Sequence, residues 1–115
     1  MTTIEKIKNQ LAENPILLYM KGSPKLPNCG FSAQAVQILS ACGVPFSYVD
    51  ILQNPDIRAE LPKFAVWPTF PQLWVDGELI GGCDILNELY RTGALQPLVD
   101  KAADKHRPQQ AETVQ

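Results

Sequence analysis

The chemistry available to this chain is carried by sulfur. It has three cysteines, Cys29, Cys42 and Cys83, and one histidine, His106, near a polar end. No C-x-x-C pair is present, which excludes a self-contained zinc ribbon, and no usual Cys/His metal set can be built from one chain, so any bound metal needs ligands from elsewhere. An odd cysteine count is also a poor disulfide framework. Cys29 has the most favourable setting. It follows a loop with two prolines, Lys21 to Asn28, and opens a helix, where unpaired N–H groups and a partial positive charge favour an anion and lower a thiol's pKa. The alternative is a structural cysteine that happens to start a helix. In Cys29-Gly30-Phe31-Ser32, serine stands where a dithiol motif carries its second cysteine. A hydroxyl cannot attack a mixed disulfide, so an intramolecular C-x-x-C cycle is unavailable; a lone thiolate can still exchange with an outside thiol or ligate a soft metal. Cys42, at the end of the apolar side of that helix, reads as a small core residue.

Other positions have the chemistry of a ligand site. Phe70-Pro71 opens a strand at a residue that cannot donate to a ladder. If that peptide is cis, Pro71 turns the backbone of Phe70 outward, where it can pair with an extended ligand; a plain trans proline starting the strand is the alternative. Gly81-Gly82-Cys83-Asp84 runs from a strand end into a helix start, a combination that suits a carboxylate cradle with Asp84 accepting from an amine, or equally a glycine turn with an ordinary capping aspartate. Lys21 and Arg58 are each a solvated charge when taken alone; together they can hold a second carboxylate at the far end of a ligand. Trp67 and Trp74 read as packing residues.

Positioning these groups requires a particular order of elements. Thr2-x-x-Glu5 is a capping-box pattern, and Ile4, Ile7 and Leu11 recur at helical spacing, so a helix is expected over about Thr3 to Glu13. Asn14-Pro15 stops it. Ile16 to Met20 is an apolar run suited to a buried strand. A helix from near Cys29 to about Cys42 has Phe31, Ala35, Ile38 and Leu39 as its apolar face and Gly43 as its stop. Phe46 to Ile51 is a second strand, which with the first makes a right-handed parallel βαβ unit. Asn54-Pro55-Asp56 caps a short helix reaching about Phe64. Phe70 to Val75 and Glu78 to Ile80 are strands joined by an Asp76-Gly77 hairpin turn. A helix bearing Ile85, Leu86, Leu89 and Tyr90 ends at Gly93, and another follows from Ala94 to about Lys105. The order α-β-α-β-α-β-β-α-α predicts an α/β fold with a four-stranded mixed sheet flanked by helices. From His106 the sequence is polar and Pro/Gln-rich, which predicts a frayed tail.

Composition narrows the function classes. A length of 115 residues suits one domain, expected over residues 1–107 with a disordered tail at 108–115. The hydrophobic fraction of 45% and charged fraction of 19% are those of a packed globular chain. A net charge of -2 gives no general affinity for nucleic acid or acidic membranes. No apolar run approaches a membrane span, and Met1 to Lys6 has no basic flank before an apolar run, so a cytoplasmic location is expected.

Four motifs in order, Lys21-Gly22-Ser23-Pro24-Lys25, Cys29-Gly30-Phe31-Ser32, Trp67-Pro68-Thr69-Phe70-Pro71-Gln72 and Gly81-Gly82-Cys83-Asp84, resemble the monothiol, CGFS-type glutaredoxins in their bacterial single-domain form. The likeness spans about residues 3 to 105 and implies a thioredoxin fold with one extra N-terminal helix. It also implies a glutathione site. Lys21 and Arg58 would hold the glycine carboxylate, Phe70 before a cis Pro71 would pair with the cysteinyl backbone, and Gly82, Cys83 and Asp84 would hold the γ-glutamyl end, with Cys29 facing the glutathione sulfur. The family further implies a [2Fe-2S] cluster. Such a cluster usually takes four thiolates; Cys29 from each of two chains and two glutathiones would supply them, in a cluster-bridged homodimer that delivers clusters to iron-sulfur acceptor proteins. The loop from Ser23 to Pro27 would reposition glutathione so that thiol exchange is poor. Two further readings follow from the resemblance: glutathione-dependent reduction of mixed disulfides by a monothiol route, and an iron-status module pairing with a BolA-like protein. Under oxidation Cys83 could form a disulfide with Cys29; the alternative is a small residue whose backbone does the work.

Overall fold

The structure, a computed structural model, describes residues 1–105. The tail expected from His106 onward lies outside them. Helix α1 (Thr3–Glu13) opens on the full capping box: the Glu5 N–H donates to the Thr2 hydroxyl at 3.1 Å and the Thr2 N–H donates to the Glu5 carboxylate at 3.2 Å. Strand β1 (Ile16–Met20) follows, and all five of its residues are buried. A continuous apolar run is what a strand covered on both faces requires. The remaining elements are α2 (Gly30–Cys42), β2 (Ser47–Asp50), α3 (Pro55–Ala65), β3 (Gln72–Val75), β4 (Glu78–Gly81), α4 (Cys83–Thr92) and α5 (Leu95–Lys105).

The sheet order is β2-β1-β3-β4. β1 pairs with β2 in parallel, Leu17 opposite Ser47 and Met20 opposite Asp50, and with β3 antiparallel, Ile16 opposite Val75 and Tyr19 opposite Gln72. β3 and β4 form the antiparallel hairpin, closed by Asp76 and Gly77, both at positive φ. The alternation of β1 divides the interior into two cores. Ile16, Leu18 and Met20 pack with Leu73, Val75, Ala35, Leu39, Leu86, Leu95 and Val99, so α2, α4 and α5 cover one face. Leu17 and Tyr19 pack with Val49, Trp74, Ile7, Leu11, Ile57 and Leu61, so α1 and α3 cover the other. This is the mixed four-stranded α/β architecture expected from the sequence, with Cys42 buried in the first core.

Four local expectations change. β3 begins at Gln72 rather than Phe70, because the Phe70–Pro71 peptide is cis and Pro71 has no N–H to give a ladder. β2 loses one residue at each end of the expected span. Asn54 precedes α3 without a side-chain cap; its amide instead donates to the Asp50 carbonyl at 2.9 Å and ties the helix start back to the end of β2. Phe31, expected in the apolar face of α2, is 62% exposed, and its ring lines a surface groove with Trp67 and Ile85 instead of packing in the core.

Candidate functional site

Lys21 directly follows β1, and the loop from it reaches Cys29 at the start of α2. Cys29 is the N-cap of α2, with extended backbone, and its Sγ accepts from the Ser32 N–H at 3.3 Å. The Ser32 hydroxyl sits 3.2 Å from the same sulfur and is fully buried. That hydroxyl also accepts from the Lys21 backbone N–H at 3.1 Å, which joins the end of β1 to the sulfur through one oxygen. With one lone pair taken by Lys21, the hydroxyl proton is free to point at an ionised Sγ. Burial pushes the Cys29 thiol up, but the Ser32 hydroxyl, the Ser32 and Phe31 N–H groups and the Lys21 charge outweigh it, and the pKa falls below the ordinary thiol value.

The segment between Lys21 and Cys29 is a miniature hairpin. Ser23 and Leu26 exchange backbone hydrogen bonds at 3.2 and 3.1 Å around a Pro24-Lys25 turn, and the Asn28 N–H donates to the Lys21 carbonyl at 2.9 Å. The Gly22 N–H is held by the Asp50 carboxylate at 2.9 Å, which pins the hairpin to the end of β2. Proline at the second position of a four-residue turn was the sequence signal for this closure.

Two grooves meet at Thr69 and Phe70. One is lined by Lys21, Arg58, Pro62, Pro68, Thr69 and Phe70, so the two cations expected to act together do share a wall. The other runs past Phe70 and Pro71 to Gly82, Cys83 and Asp84, and its apolar wall includes Phe31, Trp67 and Ile85. The two segments that form its floor touch closely: a Cβ added at Gly82 would stand 3.2 Å from the Pro71 carbonyl oxygen and 3.7 Å from Trp67 Nε1. Gly82 is the N-cap of α4, so the first-turn N–H groups of that helix, which have no partner within it, open beside this floor. Asp84 is exposed in the same turn, while Cys83 is 6% exposed. The Lys21 charge acts on Cys29, and a charged Cys29 acts in turn on Cys83, so the sulfur is within electrostatic reach of a residue from each groove.

Sequence reasoning named Lys21, Arg58 and Phe70 in the first groove and Phe70, Pro71, Gly82, Cys83 and Asp84 in the second, but missed three features. Ser32 was read only as the absence of a thiol, although a side chain three positions after an N-cap points back at the capping residue. Phe31 was assigned to the core. Trp67 was read as packing, yet it lines the second groove, whereas Trp74 does pack, buried and donating to the Gln72 side-chain carbonyl at 3.1 Å.

Removing the Ser32 hydroxyl tests the electrostatics directly. In Ser32→Ala, Cys29 loses a hydrogen bond to its charged form, so alkylation by iodoacetamide near pH 7 should slow roughly three- to tenfold, the scale of one such bond weakened by solvent. The sign is fixed by the direction of the shift: a depressed pKa puts thiolate into neutral solution, so the two rates should converge when pH rises well past the ordinary thiol range.

Comparison with known proteins agrees with the geometry. A family model described as glutaredoxin matches residues 16–80. The chain is 73% identical over 109 residues to glutaredoxin 4 of Escherichia coli strain K12, covering 95% of both sequences. Among solved structures, reduced apo GrxS14 of poplar aligns with a TM-score of 0.76 at 44% identity, covering 88% of this chain and 93% of that one. A buckwheat glutaredoxin solved as a complex with glutathione shares the fold, with a TM-score of 0.77 at 23% identity over 87% of this chain and 89% of that one.

Proposed function

The chain belongs to the glutaredoxin family, as a single-domain monothiol member, and from that membership we propose that it binds glutathione and, as a pair of copies, carries a [2Fe-2S] cluster destined for iron-sulfur acceptor proteins. The observation that carries this reading is the pairing of one activated sulfur, backed by a hydroxyl, with a groove whose polar groups suit a tripeptide. Glutathione has a carboxylate at one end and an amine and a carboxylate at the other. Lys21 and Arg58 match the first carboxylate. The first-turn N–H groups of α4 match the second, with Asp84 for the amine. The Phe70–Pro71 segment between them, just before β3 begins at Gln72, suits the cysteinyl backbone. Gly82 fits this role because any side chain there would press on the Pro71 carbonyl and fill the floor on which the γ-glutamyl end would lie.

The cluster is cargo, and the protein's share in holding it is small. Among the described residues no group of three or more His, Cys, Asp or Glu could hold a metal ion. Cys42 and Cys83 are buried. One chain therefore offers one sulfur, Cys29, where a cluster usually takes four thiolates. Two chains and two glutathiones complete the set, and the exchangeable small thiols make such a cluster easy to release.

Anaerobic reconstitution with iron, sulfide and glutathione should give a coloured species with the mass of a dimer and two glutathiones per cluster. Cys29→Ser should remain colourless and monomeric, whereas Cys83→Ser should still load. Retention of the cluster by Cys29→Ser overturns the proposal. The depressed Cys29 pKa favours a second reading, glutathione-dependent reduction of mixed disulfides. A glutathione-coupled assay separates the two: glutathione can supply the resolving thiol, but weak turnover is expected because the Ser23–Pro27 loop would place glutathione poorly for exchange, and robust turnover would promote the enzyme.

A further inference from the structure

Two sulfurs border the same site, and the fold treats them differently. The Cys83 thiol donates to the Gln34 side-chain carbonyl at 2.8 Å. Gln34 lies on α2, five residues after Cys29, and Cys83 opens α4, so this contact bridges the two helices. Asn87, one turn further along α4, donates through Nδ2 to the same Gln34 oxygen at 3.3 Å and, more weakly, to the Cys83 sulfur at 3.6 Å.

We propose that Gln34, oriented by Asn87, is a positioning residue that engages the Cys83 thiol as a hydrogen-bond donor, so that Cys29 alone of the two sulfurs acts as nucleophile and ligand.

The argument is one of lone pairs. An S–H facing a carbonyl oxygen is satisfied; a thiolate in the same place would face that oxygen's lone pairs. Rotating the Gln34 amide would turn its NH₂ toward the sulfur and favour the thiolate. Asn87 opposes that rotation, because its NH₂ donates to the Gln34 oxygen where it stands and would face another NH₂ after the turn. The contrast with Cys29 is direct, since that sulfur faces a hydroxyl and N–H groups, all donors to an anion. The surrounding charges act in the same sense. Burial raises the Cys83 pKa first, the Asp84 carboxylate and a charged Cys29 raise it further, and the Asn87 amide offsets part of this. The selection matters for the proposed function, on which this inference rests only in taking Cys29 as the working sulfur. A second free thiolate in the cradle would compete for iron or for the glutathione sulfur.

The test is alkylation of the full apo chain by iodoacetamide, with the rate at each cysteine read by peptide mass. Gln34→Met keeps the shape and removes the acceptor, and should raise the Cys83 rate roughly five- to tenfold, the scale of one neutral hydrogen bond. Gln34→Glu keeps an acceptor and should leave Cys83 as slow as in the parent or slower. Thiolate absorbance near 240 nm, titrated in a Cys29→Ser background, should shift toward lower pH with Gln34→Met and not with Gln34→Glu. Cys42, 7% exposed against 6% for Cys83, reports general opening of the chain, so a rise at Cys83 is read against an unchanged rate at Cys42. An unchanged Cys83 rate and titration in Gln34→Met overturns the proposal, and so does an equal increase in Gln34→Glu, which would mean that Gln34 merely shields the sulfur. Slow alkylation of Cys29 in the parent would instead count against the proposed function, so the two failures are separable.

Discussion

Gly22→Ala should lower stability by about 2–4 kcal/mol, which for a domain of this size is a fall in Tm of roughly 10–25 °C, and should return Cys29 to the reactivity of an ordinary thiol. Gly22 has φ +89°, a region that charges any side chain about 1 kcal/mol. The larger cost is steric. A Cβ there would overlap the Leu26 carbonyl oxygen and lie 2.8 Å from the Asn28 nitrogen, both backbone atoms of the opposite limb of the hairpin. Neither can swing aside as a side chain would, so the limbs must part and the bonds between Lys21 and Asn28 and between Ser23 and Leu26 must lengthen or break. Lys21 and Cys29 flank this segment, so its opening displaces the Lys21 N–H from Ser32 and Ser32 from the sulfur. Thermal unfolding followed by circular dichroism, together with the alkylation rate of Cys29 near pH 7, reads both effects. Gly43→Ala separates the contributions: its φ is +73° with nothing within 4 Å of the added carbon, so it should cost only about 1 kcal/mol and leave Cys29 untouched.

Deleting residues 1–13 should abolish cooperative unfolding altogether. The matched family model begins at Ile16, after α1, which makes the helix look like an appendage. The packing says otherwise. Ile7 is fully buried and Leu11 8% exposed, both against Leu17, Tyr19, Ile57, Leu61 and Trp74. Gln10 accepts the Tyr19 hydroxyl at 2.8 Å, so a fully buried tyrosine depends on α1 for its partner, and burial has pushed that phenol far above its usual range. Ile7→Ala alone should cost about 2–4 kcal/mol. Removing both aliphatics, the Gln10 acceptor and the cover over one face of the sheet approaches the roughly 5–15 kcal/mol that holds such a domain together. Denaturant titration by tryptophan fluorescence should show a displaced but sharp transition for Ile7→Ala and none for the deletion; a sharp transition in the deleted chain would reassign the stabilising contacts to α3. The Lys6–Asp56 ion pair at 3.3 Å joins α1 to α3 but is partly exposed and adds little to this sum.

How much of this could be read from residues alone depends on the range of the interactions. Local signals were legible: the Thr2–Glu5 capping box, the apolar run of β1, the Asp76-Gly77 turn and the Gly43 stop all act within a few residues, and each stands where expected. Phe31 was misread because helical periodicity reports which residues share a face, while only the position of the sheet beneath decides how far along the helix that face is covered. Asn54 was misread because its side chain is turned so that the NH₂ donates to the Asp50 carbonyl at the end of β2, a partner that its position before a helix does not reveal. The grooves were recognisable as sets of residue types, but the meeting of Lys21 with Arg58, or of Gln34 with Cys83, spans tens of residues and follows from sheet order and helix packing. Ser32 lay between these cases. Its spacing from Cys29 was local and visible, whereas its bond to Lys21 depends on the end of β1 lying against the first turn of α2.

That last bond has a consequence for the chain before it is folded. The donors around the sulfur come from the end of β1 and the first turn of α2, and the hydroxyl among them is oriented from outside the helix. While the polypeptide is still emerging from the ribosome, none of this surrounds Cys29, which is then a thiol like any in a flexible peptide, mostly protonated and slow to react at neutral pH. Reactivity is acquired only on maturation, so a half-made molecule is spared the adventitious oxidation that a permanently ionised sulfur would invite.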